Sequence, residues 1–359
     1  MRNRQTPLRL YLWALVGAAS VSVAACGSSG SAPTTTGSPT TGSPTSAVPS
    51  TEAAPDLSGV TLTVAVSTTR GKGRQAVRLA SGAYDGTPYT IKWAEFANGD
   101  AALQAVNAGA ADVMGDLQTT NAVVAAGNAK EPWTEESRLF SIVGAVLLTS
   151  KQGAQLVVKS DSGINSIADL KGKKVAYSKG SSSEFFWSLL AKEAGLAKGD
   201  VEEVKLKLSE AKAAFLAGDV DAIVSFEYNL FEMVRTENLK VLANSADRGV
   251  PLYSLIVARR GLLDDPARRS AVADLIERIH AAESWSGTNL AAARKIWEEL
   301  DGVDPLDSEQ FVLSSIAKPA AIDEALIAAV QQQIDVFFAR GLIEHSVDAH
   351  VLFDTRLGS

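Results

Sequence analysis

From residue 57 onward the chain alternates short apolar runs with longer helical stretches, and the pattern occurs twice. Leu62-Thr63-Val64-Ala65-Val66 reads as a strand ending in the polar run Ser67-Thr68-Thr69-Arg70-Gly71. Lys174-Val175-Ala176-Tyr177 reads the same way and ends in Ser178-Lys179-Gly180-Ser181. Apolar runs of this length bounded by glycine and hydroxyl residues are strand signals, and each is followed by a loop and a helix. Each half then ends a helix on glycine and passes through aspartate into another apolar strand. The first such passage is Ala108-Gly109-Ala110-Ala111-Asp112-Val113-Met114, and the second is Ala217-Gly218-Asp219-Val220-Asp221-Ala222-Ile223. Val64 and Val113 lie 49 residues apart, and Val175 and Ala222 lie 47 apart. Matching order, composition and spacing predict two similarly built α/β lobes.

Two further apolar runs, near Gln155-Leu156-Val157-Val158 and Leu252-Tyr253-Ser254-Leu255-Ile256-Val257, read as strands where the chain crosses between lobes. The predicted division is 57–153 plus 253–359 for lobe 1, with 154–252 inserted as lobe 2. The last hundred residues read as helices with long apolar stripes, over 271–282, 290–300 and 322–339, each started or stopped by Asp, Pro or Gly. They are expected to pack on lobe 1.

The N-terminus has a different pattern. Arg2, Arg4 and Arg9 precede an uncharged apolar run from Leu10 to Ala19, and Val23-Ala24-Ala25-Cys26 leads into Gly, Ser, Thr and Pro. This is the layout of a secretory signal peptide over 1–25. Its closing cysteine, the only one in the chain, resembles the lipobox of bacterial lipoproteins, which implies lipidation at Cys26. Residues 26–56, with Thr-Gly-Ser-Pro at 36–39 and again at 41–44, are too polar to build a core and read as a disordered tether. A coil of that length spans ~30 Å. The composition resembles the stalks of Gram-positive, particularly actinobacterial, lipoproteins, and with the lipobox this resemblance implies a body held on the extracytoplasmic face of the cell membrane.

Charge narrows the partners. The chain carries −7, and −10 once the three leader arginines are removed. Nucleic-acid binding draws on lysine and arginine to neutralise phosphates, so an acidic body argues against it. A small anion needs only local donors.

Two loops could supply them. In Lys179-Gly180-Ser181-Ser182-Ser183-Glu184, Ser181 and Glu184 have the spacing of a capping box at the start of an apolar helix through Phe185, Phe186, Leu189 and Leu190. Free N–H groups and hydroxyls at such an end suit a sulfonate, phosphate or carboxylate; the alternative is that Ser181 only caps the helix. Thr68, Thr69, Arg70, Gly71 and Gly73 could form the facing half, or a basic surface loop. Enzymatic readings fare poorly. The three histidines, His280, His345 and His350, lack zinc-ligand spacing, and no Gly-x-Ser-x-Gly elbow or Cys-x-x-Cys occurs. Neither a cofactor nor a metal site is expected.

The order of motifs resembles the extracytoplasmic solute-binding proteins of ABC importers, in the aliphatic-sulfonate, taurine and nitrate group. The likeness runs through residues 166–176 (Ser-Ile-Ala-Asp-Leu-Lys-Gly-Lys-Lys-Val-Ala), Lys179 to Ser183, Ala194-Gly195-Leu196 and 213–222. Lobe 1 adds Trp93-Ala94-Glu95-Phe96, Asn98-Gly99, Gly109 to Asp112 and Gly115-Asp116. The resemblance implies the periplasmic binding protein type 2 fold: two Rossmann-like α/β lobes joined by two crossing segments, with the ligand in the cleft between them. It further implies a monomeric receptor, not an enzyme, that delivers an aliphatic sulfonate or taurine to a membrane permease. Carried over by position, Ser181, Ser182 and Ser183 meet the anionic head. Thr68, Thr69, Arg70, Asn98, Gly99, Asp116 and Gln118 face them. Where the family shows a Trp-x-Pro segment, this chain has Ser225-Phe226-Glu227-Tyr228-Asn229; Glu227 and Tyr228 are then expected in the cleft, and Glu227 favours a ligand with an amine. Nitrate is one alternative ligand. A thiamine- or riboflavin-type heterocycle stacked by Tyr177, Trp187, Phe226 and Tyr228 is another. A third reading is an enzyme on the same fold, as in relatives that make a pyrimidine precursor.

Overall fold

A computed structural model describes residues 55–68 and 72–357. The expected signal peptide, Cys26, the tether as far as residue 54, Thr69, Arg70 and Gly71 lie outside the described residues. In chain order the first half runs β1 (Thr61–Ser67), α1 (Gly73–Ala80), β2 (Thr90–Phe96), α2 (Gly99–Asn107), β3 (Val113–Gln118), α3 (Thr119–Gly127) and β4 (Phe140–Leu148). The chain then crosses into β5 (Ala154–Lys159), β6 (Lys174–Tyr177), α4 (Ser182–Glu193), β7 (Glu202–Lys205), α5 (Leu208–Ala217), β8 (Ala222–Phe226), α6 (Phe231–Thr236) and β9 (Leu239–Asn244). It returns through β10 (Tyr253–Arg259), α7 (Pro266–Thr288), α8 (Leu290–Asp301), α9 (Ser308–Ser315), β11 (Ala317–Ala320) and α10 (Glu324–Ala339).

The strands form two sheets, ordered β11-β4-β10-β3-β1-β2 and β7-β6-β8-β5-β9. In each, a three-strand parallel set (β2-β1-β3, β7-β6-β8) is flanked by an antiparallel strand, β10 or β5. This is the two-lobed architecture the sequence implies.

The repeat has a physical basis in strand register. Val64 pairs with Val113, and Val175 pairs with Ala222. Asp112 accepts the Thr63 N–H at 2.9 Å, and Asp221 accepts the Lys174 N–H at 2.8 Å. Each aspartate thus sets one parallel strand against another, which is why both follow a glycine-ended helix. Gly109 and Gly218 adopt left-handed φ of 75° and 85°, a region glycine enters without a Cβ penalty.

Helix α4 is buried from Ser182 to Ala191. Its Phe-Phe…Leu-Leu pattern makes two i, i+4 stripes, and the stripes serve different cores. Phe185 and Leu189 join the lobe 1 core, where Phe185 meets the α10 residue Phe337 edge-on at 6.1 Å between ring centroids. Phe186, Trp187 and Leu190 pack on the second sheet.

The C-terminal helices begin on Asp265, which caps α7 through the Arg268 N–H at 2.9 Å, and on Asp323, which caps α10 through Leu326 at 3.0 Å. Their apolar faces pack on the lobe 1 sheet, with Val272, Leu275 and Ile279 beside Leu62 and Val64. They also reach lobe 2, which the sequence does not show. Arg235 of α6 grips Asp307 through two bonds of 2.9 Å and Asp304 at 3.1 Å, and Arg340 pairs with Glu203.

At the crossings, a Cβ on Gly153 would meet Ser245 Oγ at 2.3 Å and Leu252 Cδ1 at 2.8 Å. Only glycine lets the two crossing segments lie this close. No helix among the described residues is long and apolar enough to cross a membrane.

Candidate functional site

A cavity of about 640 Å³ opens between the sheets, at the carboxyl ends of β1, β3 and β8 and the loop after β6. Open α/β sheets bind ligands there because adjacent loops diverge and leave backbone donors and helix starts facing one space. Lobe 1 contributes Ser67, Arg74, Asn98, Gly99, Asp100, Asp116, Gln118, Thr119 and Asn121. Lobe 2 contributes the run from Ser178 to Ser183 together with Ser225, Phe226, Tyr228 and Asn229. Tyr253 comes from a crossing, and Asp301 and Phe311 come from the C-terminal helices. Ser182 Oγ stands 3.5 Å from Gln118 Oε1 across the cleft, so the lobes are already at contact distance.

The expected ligand residues are placed unequally. Asn98, Gly99, Asp116, Gln118, Ser181, Ser182, Ser183 and Tyr228 all line the cavity. Thr68 does not: its hydroxyl donates to the Phe96 carbonyl at 3.1 Å and fastens the end of β1 to β2. Glu227 does not either. Its side chain is buried and accepts the Ser150 hydroxyl, and its N–H donates to the Gly153 carbonyl at 2.9 Å, so it braces the crossing segment. Burial pushes the Glu227 carboxyl up, against the lowering effect of the Ser150 hydroxyl and the Gly153 backbone on the carboxyl. The short 3-10 turn over Glu227–Asn229 turns this residue away while its neighbours Phe226 and Tyr228 face the cavity.

The start of α4 is more self-satisfied than the serine run suggests. Ser181 Oγ donates to the Ser178 carbonyl at 2.6 Å and accepts the N–H groups of Ser183 and Glu184 at 3.2 and 3.4 Å. Glu184 returns to the N–H of Gly180 at 2.6 Å, where a capping box would bond the N-cap residue itself, and pairs with Lys205 at 2.7 Å. Ser181 is therefore occupied as a cap, and Ser182, Ser183 and the rim residue Lys179 remain to meet a ligand. On the facing side Asn98 caps α2 through its Oδ1, accepting Ala101 N–H at 2.9 Å. Asn98 also lines the cavity.

Behind the lobe 1 wall lies a buried charge cluster that the sequence does not disclose. Arg78 Nε donates to Glu283 Oε1 at 2.8 Å, Nη2 bonds the same oxygen, and Nη2 also reaches the Gly115 carbonyl at 3.3 Å. Arg74 joins Glu283 at 3.1 Å, and Asp116 lies 3.8 Å from Arg78 Nη1. Burial pushes the Glu283 carboxyl up, but the two guanidiniums more than reverse this and hold it at about 2. Asp116 is left with one oxygen, Oδ1, that is buried and has no hydrogen-bond partner.

Aromatic rings close one side. Phe226 stacks on Tyr228 at 5.3 Å with 15° between planes, and Tyr228 meets Phe311 edge-on at 5.6 Å. Tyr177 and Trp187, the other two rings considered for stacking, sit in the lobe 2 core, where both donate to Glu203, at 2.6 and 3.0 Å. Glu203 is the half-buried hub of that network. The cavity can therefore hold a small dipolar molecule between hydroxyls, a carboxylate with one unpartnered oxygen and a ring face.

Comparisons with known proteins agree with this architecture. A putative aliphatic sulfonates-binding protein of Bacillus subtilis is 26% identical over 269 residues, 74% of this chain and 76% of that protein. A putative thiamine biosynthesis protein of Haemophilus influenzae is 30% identical over 200 residues, covering 52% of this chain and 60% of that one. Among solved structures, the periplasmic aliphatic sulphonate binding protein SsuA from Escherichia coli superposes with a TM-score of 0.69 at 21% identity, over 82% of this chain and 92% of that one. The desulfurization enzyme DSZB shares the fold at a TM-score of 0.62 and 15% identity, over 83% and 97% of the two chains. The resemblance to sulfonate-binding receptors read from the sequence is borne out. A model of the family described as NMT1/THI5 like matches residues 91–273, just over half of the 359 residues. The chain belongs to the NMT1/THI5-like family.

Proposed function

We propose that this protein is the solute receptor of an ABC importer, capturing a small organic anion or zwitterion, an aliphatic sulfonate or taurine, and passing it to a membrane permease. The observation that carries this reading is the cavity of about 640 Å³ between two lobes at the strand ends, lined by hydroxyls, amides and a helix start. Relatives named for sulfonate binding support the ligand class. Closure is a population shift: a ligand touching both Ser182 and Gln118 stabilises the conformation in which the two lobes meet.

The reading is tested by thermal melting of the mature chain against small sulfonates, nitrate and amino-pyrimidines. A ligand at a hundred times its Kd adds about 2.7 kcal/mol of stability, and a sulfonate is expected to give the largest rise.

The reading also places the body outside the cytoplasm on a lipid at Cys26. Cys26→Ala should release a still-binding protein into the medium, as fractionation and blotting would detect. A variant that stays with the membrane would remove the lipid anchor from the proposal.

A second reading, a heterocycle receptor, draws on Phe226, Tyr228 and Phe311 at the cavity and on the relative named for thiamine biosynthesis. Stacking of a flat ring on Tyr228 would contribute about 0.5–1.5 kcal/mol beyond area burial. An enzymatic role on this fold would need a group that transfers a proton or forms a bond at the cavity. Two of the three carboxylates there are engaged, Asp100 by the Asn121 amide and Asp301 by the Lys72 and Gly73 N–H groups, and the third, Asp116, stands 3.8 Å from Arg78.

A further inference from the structure

The cavity is electrically two-sided. Among the described residues that line it, the carboxylates Asp100, Asp116 and Asp301 all stand on the lobe 1 side, and the one charged side chain from lobe 2 is Lys179. Arg74 also lies on the lobe 1 side, but it is drawn to Glu283 at 3.1 Å. Two of the three carboxylates have donors. Asp100 takes the Asn121 amide at 2.6 Å, and Asp301 takes the N–H groups of Lys72 and Gly73 at 2.8 Å each. Asp116 differs: its side chain is 4% exposed, Arg78 stands at 3.8 Å from Oδ2, beyond hydrogen-bond reach, and Oδ1 has no partner. A buried carboxylate oxygen without a donor is expensive, and a site that lines a ligand cavity can recover that cost from the ligand.

We infer that Asp116 is the specificity-determining residue of this site, receiving a protonated amine of the solute, which lies with its amine toward lobe 1 and its anionic head toward Ser182, Ser183 and Lys179 of lobe 2. The inference rests on the reading of the chain as a sulfonate receptor and narrows that class to amino-substituted sulfonates. The role the sequence suggests for Glu227 thus passes to Asp116, since Glu227 faces Ser150. Discrimination follows from the same asymmetry. An alkyl group in place of the amine leaves Asp116 Oδ1 unpaired in the closed cleft, and sites built to bond a donor reject the analogue that lacks it.

The test is calorimetric titration of the mature chain with 2-aminoethanesulfonate and with propane-1-sulfonate, which replaces the ammonium by a methyl group at nearly constant shape. The amine is expected to bind at least tenfold more tightly, and Asp116→Asn should erase most of that ratio by weakening the amine ligand alone. Equal affinities for the two ligands in the unaltered protein would overturn the inference and leave the sulfonate reading standing. A preference for the amine that Asp116→Asn leaves intact would overturn the assignment to Asp116. Binding of neither ligand to a protein shown by circular dichroism to be folded would overturn the sulfonate reading and the inference with it.

Discussion

Arg78→Leu should lower folding stability by about 3–5 kcal/mol, the range found when one partner of a buried ion pair is removed. Arg78 is buried and makes its contacts to Glu283, Asp116 and the Gly115 carbonyl from inside lobe 1. Without it, Glu283 keeps Arg74, and Asp116 loses its ion-pair contact with Arg78. Urea denaturation reads the effect as a shifted midpoint. A loss under about 1 kcal/mol would mean that Arg74 alone compensates Glu283, because a fully uncompensated buried charge costs more than that. The pH dependence has a definite sign. Glu283 is held at about 2 in the fold, below its ordinary 4.5, so its stabilisation is present above 4.5 and is lost as pH falls toward 2. Arg78 supplies part of that lowering, so the gap between the unaltered protein and Arg78→Leu should narrow over the same window.

Trp187→Ala should cost about 3–5 kcal/mol, as for large aromatic deletions in well-packed cores. The indole is fully buried between α4 and the second sheet, and its N–H donates to Glu203 at 3.0 Å. The same substitution should weaken ligand binding, because the N-terminal turn of α4 is a wall of the cavity and its position depends on this anchor. Denaturation and a titration with the tightest ligand check the two effects together. Binding unchanged in a variant destabilised by that amount would show that the α4 start is held from its lobe 1 side alone, through Phe185 and Leu189.

Much of this fold is legible in the sequence because its rules are local. The two glycine-then-aspartate passages encode a left-handed helix end and a carboxylate that takes the N–H of a strand residue, and both features are fixed within a few residues. The spacing from Val64 to Val113 and from Val175 to Ala222 is the strand register itself. The serine run after β6 likewise announces a helix start. What it does not announce is how many donors the cap consumes, because Glu184 also reaches Gly180 and Lys205. Glu227 illustrates a second limit. One residue of rotation in a 3-10 turn decides whether a side chain meets solvent or the crossing segment, and no periodicity encodes that choice. Arg78 and Glu283 stand 205 residues apart, and Tyr228 meets Phe311 of α9, a helix outside the three apolar stripes read from the sequence. Such partners are chosen by tertiary packing, so residue type alone cannot pair them.

The central claim is that this protein holds a small solute and does no bond chemistry on it. The most direct measurement is a calorimetric titration of the mature chain with 2-aminoethanesulfonate, followed by recovery and mass analysis of the ligand. The account predicts saturation at one ligand per chain and recovery of the ligand unchanged. Conversion of more than one equivalent of ligand into product, with release of sulfite or a new amine, would contradict it.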